Sequence, residues 1–177
     1  MGFATIEIQP TVDTTATDAK DVVFNLTAIN LPAKHCKLLS VIAYVGDQDG
    51  TTAPGTVDGD AMILLFFKDN SGGNLGTVNA TANITPANFV SNRFLGACKL
   101  TDEADMAIDD LVDNLRFMVG HNIATAVTAA ESTNLNIVLE GDMSTGIGNT
   151  CYVAAIDVGT LDFVAADDLR IVFHVEY

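Results

Sequence analysis

Apolar and polar residues alternate with a period of two along much of this chain, which is typical of β-strands that bury one face. The clearest alternation covers residues 168–177, where one face carries Leu169, Ile171, Phe173, Val175 and Tyr177. Residues 22–31 alternate in the same way, and the pattern predicts a buried face made of Val22, Phe24, Leu26 and Ala28. We therefore predict a paired strand at each of these two segments.

Two further segments are apolar almost without interruption. Residues 36–46 read CKLLSVIAYVG, and residues 61–67 read AMILLFF. Such runs indicate strands that are buried on both faces or covered by a partner. Weaker patterns predict additional strands at residues 3–8, 75–79, 116–119, 122–128, 134–140 and 150–158.

Helical signals are few. The best helical pattern covers Thr101–Leu115, because Met106 and Leu111 fall near one face and acidic residues crowd the first turn. Thr85 followed by Pro86 predicts a second, very short helical turn, since this pair is favourable at a helix start.

The predicted strands greatly outnumber the helices and do not alternate with them as βαβ units would. No long Pro-, Gly- or Ser-rich linker divides the 177 residues. The sequence thus predicts an all-β fold, a single β-sandwich or jelly-roll-like barrel domain over residues 1–177. We expect about eight or nine strands and one short helical insertion.

The chain is strongly acidic, with 23 Asp and Glu residues against 8 Lys and Arg, a formal net charge of −15. Such a surface repels the phosphates of nucleic acid and anionic membrane surfaces, so we expect direct binding to neither. Only 18% of the residues are charged and 49% are hydrophobic. Either neighbouring subunits cover part of the apolar surface, or the core is large and Thr and Asn solvate the exterior.

The cysteines, Cys36, Cys98 and Cys151, are odd in number and widely spaced, which argues against a disulfide framework and predicts buried free thiols. The first ten residues, MGFATIEIQP, lack the basic and apolar regions of a signal peptide. No apolar run approaches the roughly 20 residues of a membrane-spanning helix. We expect a protein made in a reducing cytoplasm and not secreted through a signal peptide.

No sequence motif indicates an enzyme. Ser144 lies in DMSTG, which lacks the first glycine of a nucleophile elbow. His35, His121 and His174 are isolated in sequence, without the pair spacing of a transition-metal site. Adjacent carboxylates such as those of residues 167 and 168 point apart on a strand. We predict no catalytic residue and no bound organic cofactor.

One acidic loop is a candidate cation site. Asp47, Asp49, Asp58 and Asp60 lie within fourteen residues, with glycines that permit tight turns. Calcium takes six to eight oxygen ligands from loops of this kind. The pattern is not an EF-hand, because its glycine comes too early and no glutamate closes it. Asp-Gly turns without a metal are the alternative interpretation of this segment.

The predicted architecture resembles that of small all-β virion proteins, either single jelly-roll capsid subunits or the decoration (cement) proteins on phage heads. The resemblance is carried by the strands at 22–31, 36–46, 61–67, 134–140, 150–158 and 169–177 and by the helical insertion at 102–115. It implies a virion structural protein that forms a homo-oligomer, for instance a trimer or a pentamer, and contacts other capsid proteins. It also implies localisation in the virion after synthesis in the host cytoplasm.

Two alternatives stay open. A phage tail-tube subunit is also a β-sandwich with a helix, and acidic residues lining its channel would repel DNA. A cell-surface or carbohydrate-binding β-sandwich would require exposed aromatic residues on one face. This chain has no Trp and three tyrosines, at positions 44, 152 and 177, which argues against the second alternative.

Overall fold

A computed structural model describes residues 1–46, 57–58, 60–102, 116–123, 135–141 and 149–177. Within these ranges the chain forms eleven strands and one helix. They are β1 (Phe3–Ile8), β2 (Val22–Asn30), β3 (His35–Val45), β4 (Val57–Asp58), β5 (Asp60–Phe67), α1 (Pro86–Ser91), β6 (Phe94–Asp102), β7 (Arg116–Asn122), β8 (Ile137–Glu140), β9 (Thr150–Asp157), β10 (Thr160–Leu161) and β11 (Leu169–Glu176).

One antiparallel sheet dominates the fold. Its strands follow the order β1-β11-β3-β7-β6-β5-β9-β2, and β8 pairs with the first half of β3 while β7 pairs with the second half. The sheet curls until β1 and β2 lie beside each other without forming a ladder, so the barrel is nearly closed. The two short strands β4 and β10 pair separately. The predicted all-β, barrel-like fold is confirmed.

The main core fills the inside of this barrel. Inward-facing residues from every long strand contribute to it, and the large side chains that are completely or almost completely buried include Phe24, Met62, Phe66, Leu100, Met118 and Phe173. The rings of Phe66 and Phe173 meet edge to face with 6.0 Å between their centroids. Burying an aliphatic or aromatic side chain of this size contributes roughly 1.5–3 kcal/mol, so the interior is the principal source of stability.

A second, smaller core lies on the outside of the barrel, against β5, β9 and the start of β2. Leu65, Phe67 and Ala154 are buried there beneath the connection between β5 and β6. The ring of Phe67 contacts those of Phe89 on α1 and Phe94 at 5.4 and 5.6 Å. This outer core explains why residues 61–67 are apolar at consecutive positions, because both faces of β5 are covered.

The short helix α1 begins where the sequence predicts a helix start. The Thr85 hydroxyl accepts a hydrogen bond from the Asn88 amide, and the Asn88 side chain accepts one from the Thr85 amide. Pro86 occupies the first turn, where its missing N–H costs nothing.

The prediction of the longer helix is wrong at its first two residues. Thr101 and Asp102 are the last residues of β6, and Thr101 pairs with Val119 on one side and Asp60 on the other. Within the described ranges Asp102 pairs with Met118 of β7 only, and this strand pairing outweighs the local helical preference of the two residues. Residues 103–115, the rest of the predicted helix, lie outside the described residues.

Two strand predictions need correction. In β2, Ala28 is exposed and Ile29 is fully buried, the reverse of the predicted face. Register shifts between Val22 and Phe24 and between Phe24 and Thr27 exchange the faces along the strand. The strand predicted at 75–79 is an irregular segment that is attached to the edge of β2 by an isolated bridge at Val78 and by hydrogen bonds of the Asn25 side chain.

The strands predicted at 116–119 and 122–128 also differ from the structure. A single strand, β7, runs through Arg116–Asn122, so the predicted break is absent. Residues 124–128 lie outside the described part of the chain.

The strand predicted at 168–177 is confirmed as β11, which lies between β1 and β3 and is paired on both sides. Leu169, Ile171, Phe173 and Val175 are fully buried, as the alternation predicts. Tyr177 was expected on the same face, but it follows the strand and is 48% exposed. Its ring lies against Gly2 instead of entering the core.

Candidate self-association surface

The outward-facing side of β1, β11 and β3 brings together residues that are far apart in sequence. The pairing of the three strands places Thr5, His174 and Ser40 in one cross-strand row. A parallel row contains Phe3, Glu176 and Lys37 and ends at Val138 of β8. We call this side of the three strands the β1-β11-β3 face.

A Ser–His pair lies in the middle of this face. Ser40 Oγ is 2.8 Å from His174 Nδ1, and the ring tautomer decides which atom donates. Serine nucleophiles require such a contact, and they also require a group that orients the other ring nitrogen. Within the described residues His174 makes no hydrogen bond or ion pair with a carboxylate, and its contact with Ser40 links β11 to β3.

A bulge in β3 shapes the surface beside this pair. The pairing of β3 with β11 skips Leu39, because His174 lies opposite Ser40 while Val175 lies opposite Leu38. Leu39, Phe3, Thr5 and His174 line a shallow groove of about 300 Å³. The doublet Leu38–Leu39 interrupts the alternation just before Ser40, and it is the sequence signal by which this bulge could have been found.

The charges on this face balance. Arg170 on β11 donates to the Glu7 carboxylate on β1 at 2.7 Å. Lys37 of β3 lies opposite Glu176 of β11. Two cationic and two anionic side chains therefore make the face neutral, in a chain whose net charge is −15.

A second polar cluster joins three segments near β8. Lys68 Nζ is 2.6 Å from Glu140 Oε1, and His35 Nε2 is 3.7 Å from the same oxygen. The hydrogen bond from Lys68 holds the pKa of Glu140 below its usual range. The Glu140 carboxylate, with its pKa lowered by Lys68, links β8 to the end of β5 and is a poor proton donor for general acid catalysis.

A buried carboxylate holds the segment that connects β1 and β2. Asp157 is fully buried and accepts hydrogen bonds from the Thr17 hydroxyl and, at 2.8 Å, from the Gly159 amide. Its backbone also bonds to Lys20 and Asp21. The Asp157 carboxylate therefore holds Thr17 and Gly159 in place. This structural role was not indicated by the sequence.

The predicted cation site is only partly described. Asp47 and Asp49 lie outside the described residues. Asp58 belongs to β4 and pairs with Thr160, and Asp60 begins β5 opposite Thr101. Among the residues that the structure describes, no group of three or more His, Cys, Asp or Glu side chains is arranged to hold a metal ion.

The predicted free thiols are confirmed. Cys36, Cys98 and Cys151 are all buried and form no disulfide. Burial raises the pKa of all three thiols, to about 12 for Cys98 and Cys151. Ser144 lies outside the described residues.

Of the adjacent carboxylates, Asp168 is buried and accepts from the Ala165 amide while Asp167 is exposed, so the two diverge as expected.

Comparison with protein-family models, with curated proteins and with solved structures finds no match. No helix in the described ranges is both long enough and apolar enough to cross a membrane. The site's own geometry therefore carries the functional argument.

The acidic loop gives a simple prediction about calcium. Because its ligand pattern is incomplete, we expect that a calcium chelator leaves the melting temperature unchanged. A bound ion that stabilises only the folded state would make the chelator lower it. Differential scanning fluorimetry with EGTA, and then with excess calcium, measures the shift. A chelator-induced fall that calcium reverses, and that Asp49→Asn abolishes, would contradict the expectation.

Proposed function

We propose that this chain is a virion structural protein, a capsid subunit or a decoration protein that assembles with itself and with the shell. The observation that carries the proposal is the neutral β1-β11-β3 face on a chain of net charge −15. Copies with that charge repel each other over most of their surface, so a neutral face is where contact costs least.

Exposed apolar side chains at one end of this face add support. Phe3 is 67% exposed and Val138 is 55% exposed, and they occupy the two ends of one cross-strand row. Adjacent strands are about 4.8 Å apart, so the row spans roughly 14 Å. Glu176 and Lys37 lie between the two exposed apolar side chains. Exposed apolar residues combined with paired charges are typical of a surface that binds another protein.

An all-β fold is compatible with this role, since jelly-roll domains, which are also all-β, form viral capsid proteins and lectins. Fold alone does not specify function. The proposal therefore depends on whether the protein assembles and on which surface it uses.

We expect the purified protein to be an oligomer. Size-exclusion chromatography with light scattering at micromolar concentration should give a multiple of 18.6 kDa. Raising the salt concentration should increase the assembled fraction, because it screens the repulsion between acidic copies. Negative-stain microscopy then separates shells and small rings from the tubes that a tail-tube subunit would form.

Two matched variants locate the contact. Phe3→Asp adds a negative charge to the proposed face, and Val90→Asp adds the same charge at an exposed position of α1. We expect Phe3→Asp to reduce the assembled fraction and Val90→Asp to leave it unchanged. A wild-type protein that stays monomeric at every salt concentration would overturn the proposed function.

A further inference from the structure

The outer edge of β1 presents unpaired backbone groups. Gly2 and Tyr177 exchange two backbone hydrogen bonds, of 2.7 and 2.9 Å. In an antiparallel ladder such reciprocal pairs alternate with pairs that do not bond, and β1 keeps one register against β11 throughout. The N–H and C=O groups of Phe3, Thr5 and Glu7 therefore point away from β11.

β2 lies beside this edge, but within the described part of the chain it leaves the outward backbone groups of β1 without partners. In that part of the chain Phe3, Thr5 and Glu7 make no backbone hydrogen bond to a turn or loop, and β2 forms no ladder with β1 across the gap. The start of β2 differs, because Val22 bonds to residues 79 and 80 and the Asn25 side chain bonds to Leu75 and Gly76. A strand edge with open donors and acceptors is a template for another strand.

We propose that β1 pairs with β1 of a second copy, antiparallel and about a two-fold axis at Thr5. Thr5 then faces the partner's Thr5, and Phe3 faces the partner's Glu7. Each facing pair exchanges both of its backbone hydrogen bonds, because the outward-pointing groups of the two edges match in this register. The two sheets become continuous through their β1 strands.

A second copy fits this edge because the edge is self-complementary. Its open residues are placed symmetrically about Thr5, as an isologous contact requires. The negative charge of Glu7 is compensated by Arg170, whose Nη1 is 2.7 Å from Glu7 Oε1. In the proposed register Glu7 faces the partner's Phe3, so no acidic residue lies opposite it. The register thus places no like charges opposite one another, and threonine pairs across strands are favourable.

The inference rests on the proposed self-assembly and adds the strand through which two copies join. Thr5→Pro tests it, since proline removes the outward N–H and its ring obstructs a neighbouring strand. The substitution leaves the β1–β11 hydrogen bonds in place, because the Thr5 amide does not contribute to them. Thr5→Val is the matched control, which changes the side chain and keeps the amide.

We expect light scattering to show that Thr5→Pro halves the oligomer mass, while Thr5→Val keeps the wild-type mass. An unchanged mass for Thr5→Pro would overturn the β1 contact and leave the proposed function standing. A wild-type monomer under all conditions would overturn both.

Amide hydrogen exchange of the wild-type protein provides a second measurement that does not depend on the folding of Thr5→Pro. The amides of Phe3, Thr5 and Glu7 should be protected in concentrated solution and lose that protection on dilution. Those of Ala4 and Ile6 should stay protected in both, because they bond to β11. Rapid exchange at Phe3, Thr5 and Glu7 at every concentration would refute the pairing.

Discussion

Replacing Phe173 by alanine should destabilise the protein by about 3–5 kcal/mol, because truncating a fully buried phenylalanine removes apolar burial and leaves a cavity. Phe173 is fully buried in β11, between Ile6 of β1 and Val41 of β3, and its ring meets that of Phe66 across the barrel interior. The loss should be measured as the change in free energy of unfolding in urea. We expect the midpoint to fall while the slope of the transition stays constant.

Val90→Ala is the control for this experiment, since Val90 is exposed on α1 and lies outside the β1-β11-β3 face. A surface substitution of this kind should change the free energy of unfolding by no more than about 0.5 kcal/mol. Equal losses for the two variants would mean that β11 is not fixed with Phe173 in the core.

Replacing Asp157 by alanine should cost about 3 kcal/mol. The substitution removes the only side-chain acceptor of the Gly159 amide and leaves the Thr17 hydroxyl with the Leu161 carbonyl at 3.2 Å, and hydrogen bonds to a charged group contribute roughly 1.5–3 kcal/mol each. The segment that contains Thr17 and Lys20 should also be held less tightly to the end of the barrel, because its backbone bonds to residues 157 and 161 remain while the carboxylate bond is lost. Urea unfolding gives the energy, and limited proteolysis reports the release of this segment.

Asp167→Ala serves as the comparison for Asp157→Ala, because the Asp167 side chain is exposed. It should unfold and resist protease as the wild type does. If Asp157→Ala behaved in the same way, the buried carboxylate would have no part in holding the β1–β2 connection.

Alternation predicted the strands whose two faces differ most in burial. In β11, every second residue from Leu169 to Val175 is fully buried. This alternation of burial appears in the sequence as a hydrophobic pattern with a period of two. The run at 61–67 was also predicted correctly as a buried strand. Its two apolar faces have separate causes, the barrel interior and the outer core around Phe67, and the sequence could not distinguish them.

The errors arise where non-local pairing decides the local structure. A bulge in β2 exchanges Ala28 and Ile29 between faces, and nothing in the alternation of a single strand reveals it. Thr101 and Asp102 have a composition that favours a helix start, yet Thr101 pairs with β5 and β7 and Asp102 pairs with β7, which keeps both in a strand.

The candidate surface could not be predicted from the sequence, because it too depends on non-local strand pairing. Ser40 and His174 are 134 positions apart, and they meet only because β11 inserts between β1 and β3. Which strand forms an edge is likewise a property of the strand order. A six-residue alternation such as that of β1 looks the same whether it has one neighbour or two.

The three buried thiols restrict how copies of this protein can be joined. Disulfide exchange proceeds through the thiolate, and burial suppresses that form at Cys36, Cys98 and Cys151 while also blocking access to the sulfur atoms. These are all the cysteines of the chain, so no covalent bridge between folded copies can form through sulfur unless a barrel opens. An assembly of this protein moved from a reducing to an oxidising medium would keep the same reversible contacts, and its disassembly would be governed by salt and dilution and not by reductants.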